Sequence, residues 1–278
     1  MYLGLDRSAY PGDSVMATLY RDTNLYFTCF YLAPAPSHGE SSWMTRRATL
    51  LQQGWGFLPT YVGRQVIGPG SHVVTAAQGV ADAHDAHRLM SVAGFETGTV
   101  VYLDIENGAP LLPAQEEYIR AWIRTVNQDT SYWPGVYCHK HAVAARVRTI
   151  AGEDLPIWVY GPQHPHPALP PGAPRPRVVV NPATETGPAT MPTDYPDATA
   201  WQYLMSLNCV VDLRWADGSS TVHTLHEVDL NVATVADPSF SPAPRAKVRD
   251  AGGRDAEVSD RSETPVVSTP HRSYTNQP

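Results

Sequence analysis

The chain has 278 residues, of which 42% are hydrophobic and 17% charged, and a formal net charge of -7 at pH 7. This length and apolar content are sufficient for one large domain with an extensive core. The acidic balance and the lack of a Lys/Arg cluster exclude the basic surface of a nucleic-acid-binding protein. No apolar run approaches the ~20 residues that a membrane span needs. We therefore expect no nucleic acid as partner and no membrane span.

The N-terminus and the cysteines bear on the compartment. The sequence begins with Met1–Asp6, which already has the pattern of a strand, and shows neither the basic nor the apolar region of a signal peptide. It predicts either a protein that is cytoplasmic as made or a true start that lies further upstream. The three cysteines, Cys29, Cys138 and Cys209, are far apart and have apolar or aromatic neighbours, which indicates buried free thiols rather than disulfides.

Short apolar strands alternate with helical patterns over the first 160 residues. In chain order we predict a strand at Leu3–Asp6, a helix at Asp13–Tyr20, a strand at Tyr26–Leu32, a helix at Trp43–Gln53, a strand at Trp55–Val62, a helix capped by Thr75 and running to Ala93, a strand at Thr99–Ile105, a helix at Ala114–Asp129, a strand at Gly135–Cys138, a helix at Ala142–Ile150 and a strand at Leu155–Tyr160. Such alternation is typical of parallel βα units.

The remainder is less regular. The proline-rich stretch Gly161–Arg177 predicts a long loop. Three further strands at Val178–Asn181, Ala200–Tyr203 and Glu227–Val232, a hairpin around Ala216–Gly218 and a disordered polar tail over 238–278 follow. The predicted fold is α/β, a single domain over 1–237 that forms a modified TIM (β/α)8-like barrel. An open doubly wound sheet is the alternative, which the absence of a Gly-rich phosphate loop after the first strand disfavours.

The strand at Thr99–Ile105 ends in two acids, Asp104 and Glu106. Alternate side chains of a strand share a face, so both acids point the same way. Mutual repulsion and partial burial should separate their pKa values and leave one acid protonated near neutrality, as general acid catalysis on a glycosidic bond requires. Taken alone, the motif is equally consistent with two solvated acids at a strand end.

A barrel gathers further acids at the same rim, because catalytic groups of this fold lie where strands end and βα loops begin. Asp6 ends the first strand, and Asp229 lies late in the last strand. First and last strands are neighbours in a closed barrel. We therefore expect Asp6 and Asp229 to approach each other, with Asp104 and Glu106 facing them across the mouth.

Several motifs resemble known families. Gly4–Asp6, Tyr102–Glu106, Trp201–Tyr203 and Val228–Asn231 are similar to the layout of family 25 glycoside hydrolases, the lysozyme-type muramidases. A bacterial group of glycoside-hydrolase-like domains, long catalogued as a domain of unknown function, is more similar still. That resemblance runs from about Leu3 to about Asp237 and is carried by Tyr10–Asp13, Phe30–His38, Gly54–Gly63, Gly68–His72 and Pro134–Cys138.

The resemblance implies a barrel whose acidic rim binds an amino-sugar polymer such as peptidoglycan. It implies that Glu106 is the general acid, that Asp104 orients and stabilises the intermediate, and that Asp6 and Asp229 match the first-strand and late acids of the family. A location outside the cell or at the cell wall is implied in the same way. The alternative is a barrel that binds glycan without hydrolysing it.

Other candidate residues are aromatic or contain imidazole. Tyr61, Tyr137, Tyr160, Trp201 and Tyr203 lie near predicted strand ends, where aromatic faces could stack on sugar rings, although packing is the commoner role of each. Gln202 has the opposite parity to Trp201 and Tyr203, so it is an alternative inward polar group. The histidine pairs at 139 and 141, 164 and 166, and 223 and 226 lack further ligands at metal-binding spacing and are interpreted as surface histidines. We expect no metal, no cofactor and a monomer.

Overall fold

The computed structural model describes residues 1–68, 70–108, 110–152, 154–161, 179–180, 184–205, 210–214, 220–223 and 228–240, with the backbone alone at 179–180, 210–214 and 220–223. The elements in chain order are β1 (Tyr2–Asp6), α1 (Asp13–Asp22), β2 (Leu25–Tyr31), α2 (Arg47–Gln53), β3 (Gly56–Val62), α3 (Ala76–Val92), β4 (Val100–Ile105), α4 (Pro113–Asp129), β5 (Trp133–Cys138), α5 (His141–Ala151), β6 (Ile157–Tyr160), β7 (Val179–Val180), β8 (Ala200–Leu204), β9 (Val210–Arg214), β10 (Ser220–His223) and β11 (Asp229–Ala233).

Eight of the strands close into a barrel in the order β1-β11-β8-β6-β5-β4-β3-β2, which confirms the predicted fold class. The strands from β1 to β6 pair in parallel with their neighbours, and β6 pairs in parallel with β8. The last strand differs from the expected parallel pattern, because β11 runs antiparallel to both β1 and β8. Antiparallel neighbours need no crossover helix, and no helix is described between β8 and β11.

A small second sheet precedes β11. It has the order β10-β9-β7, and β9 and β10 pair antiparallel from Ser220 with Arg214 to His223 with Val211. This pairing agrees with the predicted hairpin, although its turn at Ala216–Gly218 lies outside the described residues. The predicted proline-rich loop also lies outside them from residue 162 to 177.

The alternation of side chains along each strand creates two cores. In β4 the outward residues Val101, Leu103 and Ile105 join the large apolar layer between the barrel and its helices. The inward residues Val100 and Tyr102 belong to a smaller cluster inside the barrel. Large side chains fill that interior, so the barrel is a packed core and not a pore. The inward position that follows Tyr102 is Asp104, at the carboxyl end of β4.

The opposite end of the barrel is closed by the chain that follows β11. The Tyr102 hydroxyl donates to the Pro238 carbonyl at 3.0 Å, and the Val100 amide donates to the Ser239 carbonyl at 2.9 Å. Asp237 accepts a hydrogen bond from the Phe57 amide at 3.1 Å. Pro238 and Ser239, the first residues of the predicted tail, are therefore buried with the barrel. The tail beyond residue 240 lies outside the described residues.

The chain comprises two units, Met1–Arg245 and Ala246–Pro278, and all the described residues belong to the first. Within the described residues, no helix has the length and apolar character to cross a membrane. The Thr75 side chain accepts a hydrogen bond from the Gln78 amide and caps α3 as predicted. The helix predicted at Trp43–Gln53 begins only at Arg47, because Trp43 is buried in the preceding turn, where its ring N–H donates to the carbonyls of Arg7 and Ser8.

Cys29 and Cys138 are buried free thiols, which confirms their predicted state. Cys209 lies outside the described residues.

Candidate active site

Four carboxylates lie at the end of the barrel where the parallel strands finish. Asp6 is the last residue of β1 and is paired in register with Asp229, the first residue of β11. Asp104 is on β4, and Glu106 follows that strand directly. The prediction that Asp229 lies late in its strand is wrong. Because β11 is antiparallel, its start and not its end lies at this mouth.

A hydrogen-bond network joins two of these acids to neutral side chains. The Tyr31 hydroxyl donates to Asp6 Oδ1 at 2.8 Å. Gln202 Nε2 donates to Asp6 Oδ2 at 3.2 Å and to Asp229 Oδ2 at 2.8 Å. The Tyr137 hydroxyl donates to Gln202 Oε1 at 2.6 Å. Gln202 therefore connects the first and last strands and points inward, as its parity suggested.

Asp6 is 4% exposed, and burial raises its pKa from 3.8 to about 6. Hydrogen bonds from Tyr31 and Cys29 oppose this rise, because they stabilise the charged form. Asp6 is therefore a carboxyl group that changes charge close to neutral pH.

Asp104 is 5% exposed, and its Oδ1 has no hydrogen-bond partner among the described residues. Burial raises its pKa well above the ordinary value, and the charges of Glu106 and Asp6 raise it further. Desolvation and the repulsion of neighbouring charges both favour the protonated form of this carboxyl group. Its free oxygen faces no competing donor from the described part of the chain.

Glu106 is more accessible than Asp104, with 45% of its side chain exposed. Its pKa is raised, first by desolvation and then by the charge of Asp6. The sequence predicts repulsion from Asp104 as the cause. The structure instead gives Asp6 as the acid whose charge raises the pKa of Glu106.

Gln65 anchors the end of β4 and was not identified from the sequence. Its Oε1 accepts from the Glu106 amide at 3.1 Å, and its Nε2 donates to the Asp104 carbonyl at 2.8 Å. Gln65 lies in the loop after β3, so only the pairing of β3 with β4 brings it here. Tyr31 was also missed, although its position at the end of β2 was a usable signal.

His139 lies beside Glu106, and its interpretation as a surface histidine is wrong. Its Nδ1 is 3.5 Å from Glu106 Oε2, and its ring stacks on Tyr160 at 4.8 Å and 17°. Burial lowers its pKa, and the charge of Lys140 lowers it further, so the ring is neutral at pH 7. The sequence signal was its position directly after β5, at the same rim as the acids.

His141 is also not a free surface residue, since it pairs with Asp194. No group of three or more His, Cys, Asp or Glu side chains able to hold a metal is found among the described residues. The pair at 164 and 166 and the side chains of His223 and His226 lie outside that part of the chain.

The five predicted aromatic residues fall into two sets. Tyr137 and Tyr160 face the barrel interior next to the acids. Tyr61, Trp201 and Tyr203 belong to the outer apolar layer, where the Tyr61 hydroxyl donates to Asp85 at 3.2 Å and the Trp201 and Tyr203 rings meet at 6.1 Å. The structure does not bring these three to the carboxylates, because their strand positions have the outward parity.

Asp6, Asp104 and Glu106 form no ion pair with Lys or Arg in the part of the chain that the structure describes. The Tyr137 hydroxyl lies in the field of all four acids, each of which raises its pKa, although desolvation is the larger cause. The mouth is thus a cluster of acids surrounded by neutral hydrogen-bonding side chains. Such a site can hold one carboxyl group protonated while a neighbouring carboxyl group is charged.

Comparisons with known proteins agree with this barrel. The chain is similar to an uncharacterized B. stearothermophilus protein (19% identity, 84% of this chain and 96% of that chain, TM-score 0.54). It is also similar to the Mycobacterium tuberculosis Tat-secreted protein Rv2525c, solved with L-tartrate (17%, 86% and 97%, 0.51). A third similar structure is GHIP, a glycosyl hydrolase 25 of Streptococcus pneumoniae (11%, 84% and 86%, 0.51). At these identities the likeness shows a shared fold.

No curated protein matched the chain. A family profile described as Rv2525c-like, glycoside hydrolase-like domain matches residues 27–232, from β2 into β11. The match covers most of the barrel and includes three of the four mouth carboxylates. This chain therefore belongs to the Rv2525c-like family of glycoside hydrolase-like domains.

Proposed function

We propose that the protein is a glycoside hydrolase that acts on an amino-sugar polymer such as bacterial peptidoglycan. The observation that carries the proposal is the meeting of Asp6, Asp104, Glu106 and Asp229 at one barrel mouth, with an exposed acid of raised pKa among them. Oxocarbenium-like transition states are stabilised by paired carboxyl groups of unequal proton affinity. The fold shared with a glycosyl hydrolase 25 supports this class of reaction.

In this mechanism Glu106 donates its proton to the glycosidic oxygen that leaves. It is the accessible acid on β4, and its raised pKa keeps a larger protonated fraction near neutrality. Asp6, with a pKa of about 6, supplies the negative charge that stabilises the positive sugar carbon. The donor becomes a carboxylate and then accepts a proton from the attacking water.

Three routes remain for the attack, and they differ in geometry. Direct attack by a carboxylate requires two working groups ~5–5.5 Å apart, and a water between them requires ~6.5–9.5 Å. In the third route the N-acetyl oxygen of the substrate attacks while a protein carboxyl group holds the amide. Asp104 and Glu106 lie side by side on one strand face, and Asp104 has a free oxygen. These two features favour the third route.

The proposal extends to location and assembly. A structural relative is Tat-secreted, and a peptidoglycan substrate lies outside the cytoplasm, so we place this protein on the outer side of the membrane. All four carboxylates come from a single chain, so a monomer suffices for the site.

The decisive experiment compares Glu106→Gln with the wild type on labelled peptidoglycan and chitin oligomers. We expect release of reducing ends to fall by about 10²–10⁴-fold, because the amide cannot donate the proton. Glu117→Gln is the matched control, since Glu117 is 60% exposed on α4 and pairs only loosely with Arg120. Unchanged turnover in Glu106→Gln would remove the proposed role. Glycan binding without any turnover by the wild type would favour the non-hydrolytic barrel.

A further inference from the structure

The inner ring nitrogen of His139 lies close to Glu106. Nδ1 is buried and makes no hydrogen bond to a described residue, and it lies 3.5 Å from Glu106 Oε2. Hydrogen bonds of catalytic groups are often long before substrate binds and shorten in the complex. This ring nitrogen is therefore placed to bond to the general acid and to no other described group.

The surroundings fix the imidazole plane. His139 stacks nearly parallel on Tyr160, and its backbone amide donates to the Ile105 carbonyl at 3.2 Å, one residue before Glu106. His139, which directly follows β5, is therefore held beside the end of β4. A ring held on one face by Tyr160 and on its main chain by β4 has little freedom to turn away from Glu106.

We propose that His139 is a positioning residue, whose Nδ1–H donates to Glu106 Oε2 and so leaves the acidic proton on Oε1, the oxygen turned to the substrate. The inference deepens the proposed hydrolase function and rests on it. A neutral imidazole can make this donation in both states of Glu106, before and after proton transfer. A cation at the same place would hold Glu106 ionised and remove the acid.

The ionisable groups around this pair come from five of the eight barrel strands. They are Asp6 on β1, Asp104 on β4, Tyr137 and Lys140 on and after β5, Tyr160 on β6 and Asp229 on β11. Desolvation and the charge of Asp6 raise the pKa of Glu106, whereas a donated hydrogen bond lowers it by stabilising the carboxylate. Loss of the imidazole N–H should therefore raise the pKa of Glu106.

The test replaces His139 by Phe, which keeps a ring on Tyr160 and lacks the N–H, and by Gln, which keeps a donor and lacks the ring. Carbon-detected NMR titration of Glu106 measures its pKa without any substrate. We expect His139→Phe to raise it by about one unit and His139→Gln to leave it near the wild-type value. His84→Phe, on the exposed face of α3, is the control and should change nothing. An unchanged pKa in His139→Phe overturns the inference.

Kinetics provide a second readout. With peptidoglycan as substrate, the alkaline limb of the kcat/KM profile should move to higher pH in His139→Phe, with kcat about tenfold lower. A purely structural role would lower activity without moving the limb. If His139→Phe does not fold, His139→Leu repeats both measurements. If the wild type hydrolyses nothing, the proposed function fails and the NMR titration alone decides the role of His139.

Discussion

The two ends of the barrel treat the same kind of side chain in opposite ways. At the closed end, Asp237 Oδ1 accepts hydrogen bonds from the Phe57 amide at 3.1 Å and from the Ser239 amide and hydroxyl at 3.1 and 2.7 Å. At the mouth, Asp104 is buried with an unpartnered Oδ1 and two acidic neighbours. Asp237 therefore has hydrogen-bond donors that stabilise its carboxylate, whereas Asp104 is buried beside two other acids, which disfavour its charged form.

The closed end therefore contributes to the stability of the barrel, whereas the mouth carries the candidate active site. Donors aimed at Asp237 join the last segment to β3 and contribute to the free energy of unfolding. At the mouth, desolvation and the charges of neighbouring acids raise the pKa values of Asp104 and Glu106, and Asp104 Oδ1 has no hydrogen bond from a described residue to offset this rise. The buried acids at the mouth lower the free energy of unfolding, and contacts at the closed end and in the outer core compensate for this loss.

The largest effect should come from Gly56→Ala at the closed end. An added Cβ would collide with the Ala236 carbonyl oxygen and lie 2.8 Å from Asp237 Cα, and neither backbone atom can move cheaply. We expect the free energy of unfolding to fall by about 3 kcal/mol, at the upper end for an overpacked site. Urea denaturation measures it. Gly39→Ala, where nothing lies within 4 Å, is the control. Equal losses in both variants would mean that the closed end is not tightly packed.

The next effect is a pH dependence that originates at the mouth. The pKa of Asp6 is 3.8 in a free chain and about 6 in the fold, so between these values the folded state binds more protons. The free energy of unfolding should therefore fall as pH rises through this window, by up to about 3 kcal/mol at about 1.4 kcal/mol per unit. Below pH 3.8 Asp6 is protonated in both states and does not destabilise the fold, and above about pH 6 its destabilising contribution is complete.

Asp6→Asn tests the origin of this slope. The amide cannot ionise, so the variant should have a flatter curve of unfolding free energy between about pH 4 and about pH 7. Urea denaturation at several pH values gives both curves. Wild type and variant with parallel curves would show that Asp6 is not the group that titrates.

The smallest effect on the free energy of unfolding should come from an Asp→Asn substitution made at each end of the barrel. Asp237→Asn leaves an oxygen for its donors but removes the charge that strengthens three hydrogen bonds, so we expect a loss of about 1–2 kcal/mol at neutral pH. Asp104→Asn introduces a neutral amide of the same shape in place of a carboxyl group whose raised pKa favours its neutral form. We expect its stability to change by less than about 1 kcal/mol.

Thermal or urea unfolding of the two Asn variants in the same buffer is sufficient for this comparison. A large loss in Asp104→Asn would show that Asp104 is ionised and hydrogen-bonded in the fold. That result would contradict the contrast between the two ends of the barrel.

Much of the fold could be predicted because the spacing of hydrophobic residues along one sequence distinguishes strands from helices. Alternating strands and helices from Leu3 to Tyr160 gave the barrel, and a Thr75 cap gave the start of α3. Strand direction could not be read in this way. A strand pattern such as that of Asp229–Ala233 is the same in both directions, and its antiparallel pairing depends on how the preceding chain returns.

Some residues of the candidate site could likewise be predicted from local sequence, whereas others depend on contacts between strands. Asp6, Asp104 and Glu106 stand at strand ends, so the sequence alone indicated a common rim for them. The parity that turns Gln202 inward and Trp201 outward was visible, but which face is inward was decided only by barrel closure. Gln65 and His139 come to Glu106 through pairing with neighbouring strands, a long-range contact that no local pattern encodes.

By itself the sequence determined an alternating α/β chain with acids at the ends of its strands, because hydrophobic period and residue type are local properties. The tertiary structure decided which acid is buried, which is exposed and which neutral side chains surround them. Proton affinity depends on desolvation and on charges from other strands, and these arise only when the barrel closes.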